Sequence, residues 1–287
     1  MIIDHNYENT TTLMSKIIKD KIFGTEEDFR NYLENFLFFE FSLEDLNLPE
    51  AGLLLEKASN IEKQIGLHNW TTKNFEFDDY KGFSLTYNKD YVGDQEIFNQ
   101  TLGTKSNTQV YGFEKEKEKI NIIKNTYYDT FAFRHTHPVI KKEFDELFNN
   151  FNCGISRSRI SYFYPHKTKL PDASGIHIDE LPFFLLRVNI PLKTNSNHIL
   201  KINGNDGFGN TLQLEKHLEV GKAYIWNTKI PHQVTIKEET TDKEPRIHIV
   251  LGITPWLDYH ENFDFWTINS NFKIPMKDYV SKKMFIK

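Results

Sequence analysis

Three residues that can bind a metal ion come from two separate places in the second half of the chain. His177 and Asp179 are separated by one residue, so in an extended strand their side chains lie on the same face. His232 follows 53 positions after Asp179, at the start of another predicted strand. Two imidazoles and one carboxylate leave three positions of an octahedral ion open, an arrangement typical of Fe(II) sites that bind a bidentate co-substrate and O2. The spacing therefore indicates a metal site.

The tripeptide His177 to Asp179 is not distinctive by itself. It follows the turn-forming residues 171–175, so a surface loop is the plain alternative. His217 and Glu219 have the same spacing. Only 13 residues separate Glu219 from His232, however, which leaves no room for the intervening strands of a barrel. The pair at His135 and His137 precedes Pro138 and is typical of a helix start.

Two arginines strengthen the interpretation of a metal site. Arg246 lies 14 residues after His232 and opens an apolar strand, and Arg187 is embedded in another apolar strand. A guanidinium inside an apolar strand is costly unless an anion meets it. A dicarboxylate would supply that anion, because its 2-oxo acid end chelates the iron while its far carboxylate pairs with Arg246. The alternative is that each arginine points to water.

A second pair of arginines alternates with serines on one predicted strand. Arg157 and Arg159 are two positions apart, and simple alternation puts both on one face. They either bind a substrate carboxylate or form a solvated β face.

The composition excludes several classes of protein. The chain has 35 Lys and Arg against 40 Asp and Glu, and the net charge of −5 argues against a nucleic-acid partner. Cys153 is the single cysteine, so intramolecular disulfides and multi-cysteine metal sites are excluded. The apolar run from Phe183 to Leu186 is broken by Arg187 and is far too short to cross a membrane. No membrane partner and a cytoplasmic location are expected.

The hydrophobic period changes near residue 150. Helices are predicted after Thr25 (with Phe29, Leu33, Phe36 and Leu37 on one face), from Pro49 to Gly66, and from Pro138, with short strands at 82–87 and 108–111. Short strands follow at 155–164, 184–192, 199–203, 223–227, 232–236 and 246–253. Strands at this spacing predict an antiparallel sandwich or barrel.

The stretch from Ile155 to about Trp256 resembles a known family, the Fe(II)/2-oxoglutarate-dependent oxygenases of the aspartyl/asparaginyl β-hydroxylase superfamily. The resembling pieces occur in the family's order: Ser161 before Tyr162-Phe163-Tyr164-Pro165, then His177, Leu186 to Leu192, Gly221 to Asn227, His232-Gln233-Val234, and Arg246 to Val250. At Asp179 the sequence resembles the proline-hydroxylase-like branch, whose members have an acidic residue at this position. The vertebrate-type aspartyl hydroxylases lack one there.

The resemblance implies a fold and a set of roles. It implies a mainly β fold with flanking helices (α+β) and a double-stranded β-helix, or jelly-roll, core. His177, Asp179 and His232 would be the metal ligands and the catalytic centre. Arg246 would bind the distal carboxylate of 2-oxoglutarate, and Ser161 and Arg187 would help to bind this co-substrate.

We therefore expect one integrated domain, with a helix-rich region at 1–150, a jelly-roll catalytic core at 151–260 and a C-terminal extension at 261–287. The expected activity is a dioxygenase that uses O2 to hydroxylate an unactivated C–H bond of a free amino acid or a small amino-acid-like metabolite, with succinate and CO2 as co-products. Two alternatives stay open: an oxygenase acting on a peptide or protein side chain, and a non-catalytic cupin-like binding protein. The sequence predicts no oligomeric state.

Overall fold

The computed structural model describes residues 2–3, 26–71, 76–89, 97–102, 133–164, 176–179, 182, 185–236, 244–260, 262 and 265–287. The helices are α1 (Glu26–Leu33), α2 (Ala51–Ile65), α3 (Pro138–Asn149) and α4 (Met276–Ser281). The strands are β1 (Ile2–Ile3), β2 (Phe38–Ser42), β3 (His68–Thr71), β4 (Glu76–Ser84), β5 (Gly154–Phe163), β6 (Leu186–Lys193), β7 (His198–Asn205), β8 (Thr211–Lys216), β9 (Lys222–Trp226), β10 (His232–Ile236), β11 (Arg246–Thr254), β12 (Leu257–His260) and β13 (Phe265–Ile268).

Seven of these strands form a major antiparallel sheet in the order β2-β9-β6-β11-β5-β4-β3. The strand β11 lies in its centre and pairs with β5 on one side and with β6 on the other. Three strands form a minor sheet in the order β10-β7-β8. A backbone bridge between His177 and His232 adds residues 176–179 to the edge of this minor sheet.

The chain passes repeatedly between the two sheets. It runs from β5 in the major sheet to residues 176–179, returns to β6, crosses to β7 and β8, returns to β9, crosses to β10 and ends in β11. Apolar side chains of β7 in the minor sheet pack against Tyr224 and Trp226 of β9 in the major sheet. This is the strand arrangement of a double-stranded β-helix, and it confirms the predicted mainly β fold class.

The two faces of the major sheet differ in chemistry because side chains alternate along each strand. On β11, Ile247, Ile249 and Leu251 are buried in the larger core. Helices α2 and α3 supply the other half of that core, and α2 contacts both α3 and β6. Arg246 and His248 lie on the opposite face of β11, which the minor sheet covers. One face of the sheet thus stabilises the fold, while the other carries polar groups.

The predicted helices are found with one difference. The helix ending before Gly66 has that glycine as its C-cap at φ 74°, and the helix at Pro138 is capped by the His137 side chain, which accepts a hydrogen bond from the Val139 N–H. The first helix is shorter than predicted, because it ends at Leu33 and Phe36 and Leu37 lie beyond it. After this helix the chain continues into β2, which pairs with β9.

The strands predicted in the first 150 residues have different outcomes. The predicted strand at 82–87 overlaps β4, which extends from Glu76 to Ser84. The strand expected at 108–111 lies outside the described residues, and the domain boundaries stay a prediction. Among the helices that the structure describes, none is long and apolar enough to cross a membrane.

The expectation that Arg157 and Arg159 share a face is wrong. Val250 pairs with Arg159 while Gly252 pairs with Ser156, so β5 contains one more residue than β11 over this stretch. The extra residue forms a β-bulge, and Arg157 adopts a left-handed backbone at φ 46°. A Cβ at Gly252 would lie 2.2 Å from the Ser156 carbonyl oxygen, so the close approach at the bulge requires glycine.

Candidate metal centre and the polar face of the major sheet

The backbone brings the three predicted metal-binding residues together. The amide of His177 donates to the carbonyl of His232 at 3.0 Å, and the reverse hydrogen bond measures 2.9 Å. The Asp179 amide donates to the carbonyl of Thr228 at 2.9 Å. These three bonds fix residues 177–179 beside the start of β10. As alternation in an extended segment requires, His177 and Asp179 point to the same side.

The side-chain atoms of these residues converge. The Nε2 atom of His232 lies 3.4 Å from one carboxylate oxygen of Asp179, and the Nε2 atom of His177 lies 3.9 Å from the other. One donor atom from each residue lies within 4.8 Å of the other two. Neighbouring ligands on one octahedral ion are about 3 Å apart when each bond is about 2.1 Å. A small contraction would therefore close the triad around one cation.

The hydrogen bonding of His232 supports this fit. Its Nδ1 atom lies 2.9 Å from the Ile230 carbonyl, which is an acceptor only, so Nδ1 carries the proton. With Nδ1 as the donor, a neutral ring directs the Nε2 lone pair towards Asp179. Two lone-pair groups facing each other at 3.4 Å repel each other unless a proton or a metal ion lies between them. Two imidazoles and a carboxylate, with Nδ1 of His232 bonded to a backbone carbonyl, form a donor set that a divalent transition metal binds.

Asp179 is held in its charged form. Burial by itself would raise the pKa of this carboxyl group, but the guanidinium of Arg187 lies 3.2 Å away and His232 is also close. The charge of Arg187 makes the largest opposing contribution, and the pKa of Asp179 is held well below its usual value. The predicted co-substrate residue Arg187 therefore lies against a predicted metal-binding residue, and it orients the Asp179 carboxylate.

Arg246 lies on the polar face with a histidine as its neighbour. Its Nε donates to Nε2 of His248 at 2.8 Å, and no carboxylate in the described part of the chain lies within 4.0 Å of its guanidinium. Burial lowers the pKa of Arg246 to about 10, which still leaves it charged at neutral pH. Burial and the nearby Arg246 hold the pKa of His248 well below its usual value. Nη2 of Arg246 also lies 2.9 Å from Nδ1 of His248, but a neutral imidazole offers one acceptor, so the guanidinium keeps the donors of Nη1 for an anion.

Ser161 lies on the same face and pairs with His248 across β5 and β11. It is buried, and its hydroxyl lies 3.4 Å from the hydroxyl of Tyr80. The predicted co-substrate residues Ser161 and Arg246 therefore line one side of the sheet. Arg187 lies on this side too, because it pairs with Gly252, six residues along β11 from Arg246.

The alternative metal pairs do not converge in this way. Glu219 pairs with Lys222 and is exposed, while His217 contacts the carbonyl of His198. His137 caps α3, and His135 lies against Tyr259. In the described part of the chain, the triad of His177, Asp179 and His232 is the one group of this kind whose donor atoms meet.

The sequence analysis did not single out Asn189, one of two further buried polar groups on the polar face of the major sheet. The side-chain amide nitrogen of Asn189 and the indole nitrogen of Trp226 are buried and have no hydrogen-bond partner in the structure. Asn189 is two positions from Arg187 on β6, so the alternation of side chains along a strand could have placed both on the same face. The indole ring of Trp226 lies edge-on to His232, with ring centroids 5.8 Å apart. Both groups are hydrogen-bond donors, and Asn189 lies on the same face of β6 as Arg187.

Known proteins resemble this chain in structure rather than in sequence. No protein-family model matches the chain, and no curated protein sequence matches it. Similar solved structures include an oxidoreductase of the 2OG-Fe(II) oxygenase family from Burkholderia pseudomallei, at 13% identity and a TM-score of 0.37, with 80% of this chain and 89% of that chain covered.

Two other similar solved structures are of proteins whose co-substrate or bound peptide is known. One is the non-haem α-ketoglutarate-dependent epimerase SnoN of nogalamycin biosynthesis, at 9% identity and a TM-score of 0.41, with 79% and 81% covered. The other is a prolyl hydroxylase from Trichoplax adhaerens in complex with a hypoxia-inducible-factor peptide fragment, at 12% identity and a TM-score of 0.36, with 79% and 90% covered. The ligands named for these structures belong to those proteins.

The low pKa of His248 predicts a pH dependence of stability. The unfolded chain takes up a proton at this residue as the pH falls through about 6.5, whereas the folded chain does not. The stabilising contribution is therefore present above pH 6.5 and is lost as the pH falls towards the folded pKa. Between pH 7.5 and 5.5, we expect the wild type to lose about 1.4 kcal/mol more of its free energy of unfolding than His248→Gln does.

Urea unfolding at several pH values measures this difference. The exposed His260 supplies the control, since His260→Gln should follow the wild-type curve. Parallel curves for the wild type and His248→Gln would contradict a buried neutral imidazole.

Proposed function

We propose that this protein is an Fe(II)- and 2-oxoglutarate-dependent dioxygenase. The observation that carries the proposal is the combination of a convergent His-Asp-His triad with Arg246 on the polar face of the same β-helix. A triad without an anion site would be equally suited to a structural metal, and a buried guanidinium without a metal site would be suited to many anions. Their combination fits a co-substrate that chelates iron at one end and ends in a carboxylate at the other.

Each residue has a proposed task. His177, Asp179 and His232 would hold the metal, with Arg187 orienting the Asp179 carboxylate. Arg246 would bind the distal carboxylate of 2-oxoglutarate through the donors that His248 leaves available. Ser161 and its neighbour Tyr80 would contribute hydroxyl groups to the same carboxylate.

The apolar and aromatic walls would keep water from the site. Trp226 and Tyr224 are buried between the two sheets and would form the wall of the site on the side of β9. When bound, Fe(II) with 2-oxoglutarate and O2 supplies an oxidant that hydroxylates an unactivated C–H bond and yields succinate and CO2. We propose a free amino acid or a small amino-acid-like metabolite as the substrate, following the resemblance that Asp179 carries.

Anaerobic titration tests the metal site. Adding Fe(II) and 2-oxoglutarate to the wild type should produce the weak visible charge-transfer band of a chelated 2-oxo acid. His177→Ala and Asp179→Ala should abolish it, since each removes one of three ligands. His217→Ala removes a histidine outside the triad and serves as the matched control, with an unchanged band expected.

Absence of the band in the wild type would contradict the proposal and would favour a non-catalytic cupin-like protein. If the band forms, succinate release measured against free amino acids and against peptides separates the two classes of substrate. Release that is stimulated by peptides alone would overturn the proposed small substrate.

The role of Arg246 gives a separate prediction. Arg246→Gln should weaken 2-oxoglutarate binding to the metal-loaded protein by about 2–3 kcal/mol, because a buried charge-assisted pair is lost. Lys193→Gln is the control, since this lysine lies near Arg246 but pairs with the exposed Glu244. Calorimetric affinities that agree within about threefold for all three proteins would place the distal carboxylate elsewhere.

A further inference from the structure

Arg159 is a buried cation that the proposed co-substrate site does not use. Arg159 is 6% exposed, and its Nε atom has no hydrogen-bond partner. No carboxylate among the described residues lies within ion-pair distance of it; Asp179 acts on it only from farther away. Burial lowers the pKa of Arg159 to about 10, so the group stays charged at neutral pH. A charge in this state is costly unless an anion arrives.

The guanidinium of Arg159 is held on an aromatic platform. Its central carbon lies 5.0 Å from the centre of the Trp70 ring, and the ring of Trp70 stacks on that of Tyr80 at 4.3 Å. Stacking fixes the plane of a guanidinium while its edge keeps donors in a fork that matches a carboxylate. The platform therefore orients Arg159 before any ligand binds.

Register places Arg159 apart from the co-substrate arginine. Arg246 pairs with Phe163, which is four residues along β5 from Arg159. At about 3.4 Å per residue, the two arginines lie roughly 13 Å apart along the sheet. Arg159 is instead close to Arg187 and Asp179, both of which influence its charge. It therefore faces the metal centre from a different direction than Arg246.

A second buried hydrogen-bond donor lies in the same row of the sheet as Arg159. Val250 pairs with Arg159 on one side and with Asn189 on the other, so these two polar residues lie two strands apart in one row across the sheet. The side-chain amide nitrogen of Asn189 is, like Nε of Arg159, a buried donor without an acceptor. Buried donors without acceptors in one row of the sheet are complementary to an anion.

We propose that Arg159, supported by Trp70, binds the carboxylate of the substrate that is hydroxylated. This inference rests on the proposed function and assigns to it a second anion site, distinct from that of 2-oxoglutarate. Charge favours it: Asp179 already contacts Arg187 and the dicarboxylate would lie between the metal and Arg246, so among the described residues no carboxylate is left to pair with Arg159. The carboxylate end of the substrate would be anchored on β5, and its remaining atoms would extend towards the triad.

Binding is measured without turnover on protein loaded with Zn(II) and 2-oxoglutarate. The probes are an equimolar mixture of the twenty free L-amino acids and a matched mixture of their carboxamides, followed by saturation-transfer NMR and then by calorimetry on each ligand that binds. At least one free amino acid should bind, and its amide should bind at least tenfold more weakly, because the carboxylate charge is lost.

Variants locate the site. Arg159→Gln should weaken amino-acid binding at least tenfold and leave 2-oxoglutarate affinity within about threefold, whereas Arg246→Gln should show the opposite pattern. Arg159→Lys keeps the charge without the fork, and Trp70→Leu removes the platform; each should weaken amino-acid binding several-fold. Arg157→Gln, the same change two residues away beyond the bulge, is the matched control. Thermal unfolding confirms that each variant is folded.

Three results would overturn the proposal: no free amino acid binds to the loaded wild type, the amides bind as tightly as the acids, or Arg159→Gln weakens 2-oxoglutarate as much as Arg246→Gln does. The last result would assign Arg159 to the co-substrate. Failure of the wild type to bind the metal or 2-oxoglutarate would instead contradict the proposed function. Normal binding of both, with amino-acid binding indifferent to Arg159, would contradict this inference alone.

Discussion

Three guanidinium groups lie on one face of the major sheet, and the described residues supply one carboxylate within ion-pair distance of them. That carboxylate, Asp179, contacts Arg187. Arg159 and Arg246 have aromatic and imidazole neighbours instead. Buried cations cost free energy that the fold alone does not recover. Within the described part of the chain, the polar face therefore holds more cationic than anionic side chains, and an anionic ligand would reduce this cost.

The same strands provide both the stability of the fold and the polar face. Along β11, Ile247 and Ile249 pack against the helix-covered core while Arg246 and His248 point the other way. The period of two makes this division strict, since each residue of a regular strand belongs to one face. Helices α2 and α3 cover the apolar face, so the minor sheet is left to enclose the polar one. Residues 176–179 and β10, at the edge of that sheet, then carry the triad.

Much of this arrangement could be predicted from the sequence. The bounds of β10 are those predicted, and the alternation of Arg246 with isoleucines placed it on the face opposite the core. The convergence of His177 with His232 depends on a backbone bridge between residues 55 positions apart. Spacing can make such a bridge plausible, and the resemblance to a family gave it a location.

Other features could not be predicted because they arise from distant contacts. β8 was not predicted: its residues alternate between exposed and half-buried, so it lacks the apolar run that identifies a strand. The bulge at Arg157 breaks the alternation that had put two arginines on one face. Trp70 meets Arg159 across 89 residues of chain, which no local pattern encodes. The pairing of Arg187 with Asp179 likewise appears only once β6 lies beside residues 176–179.

The proposed iron centre is tested most directly by the anomalous difference map of a crystal grown anaerobically with Fe(II) and 2-oxoglutarate. We expect one iron peak within about 2.3 Å of Nε2 of His177, Nε2 of His232 and an oxygen of Asp179, with the distal carboxylate of 2-oxoglutarate against Arg246. Iron bound elsewhere, or a metal-free triad beside an ordered 2-oxoglutarate, would contradict it.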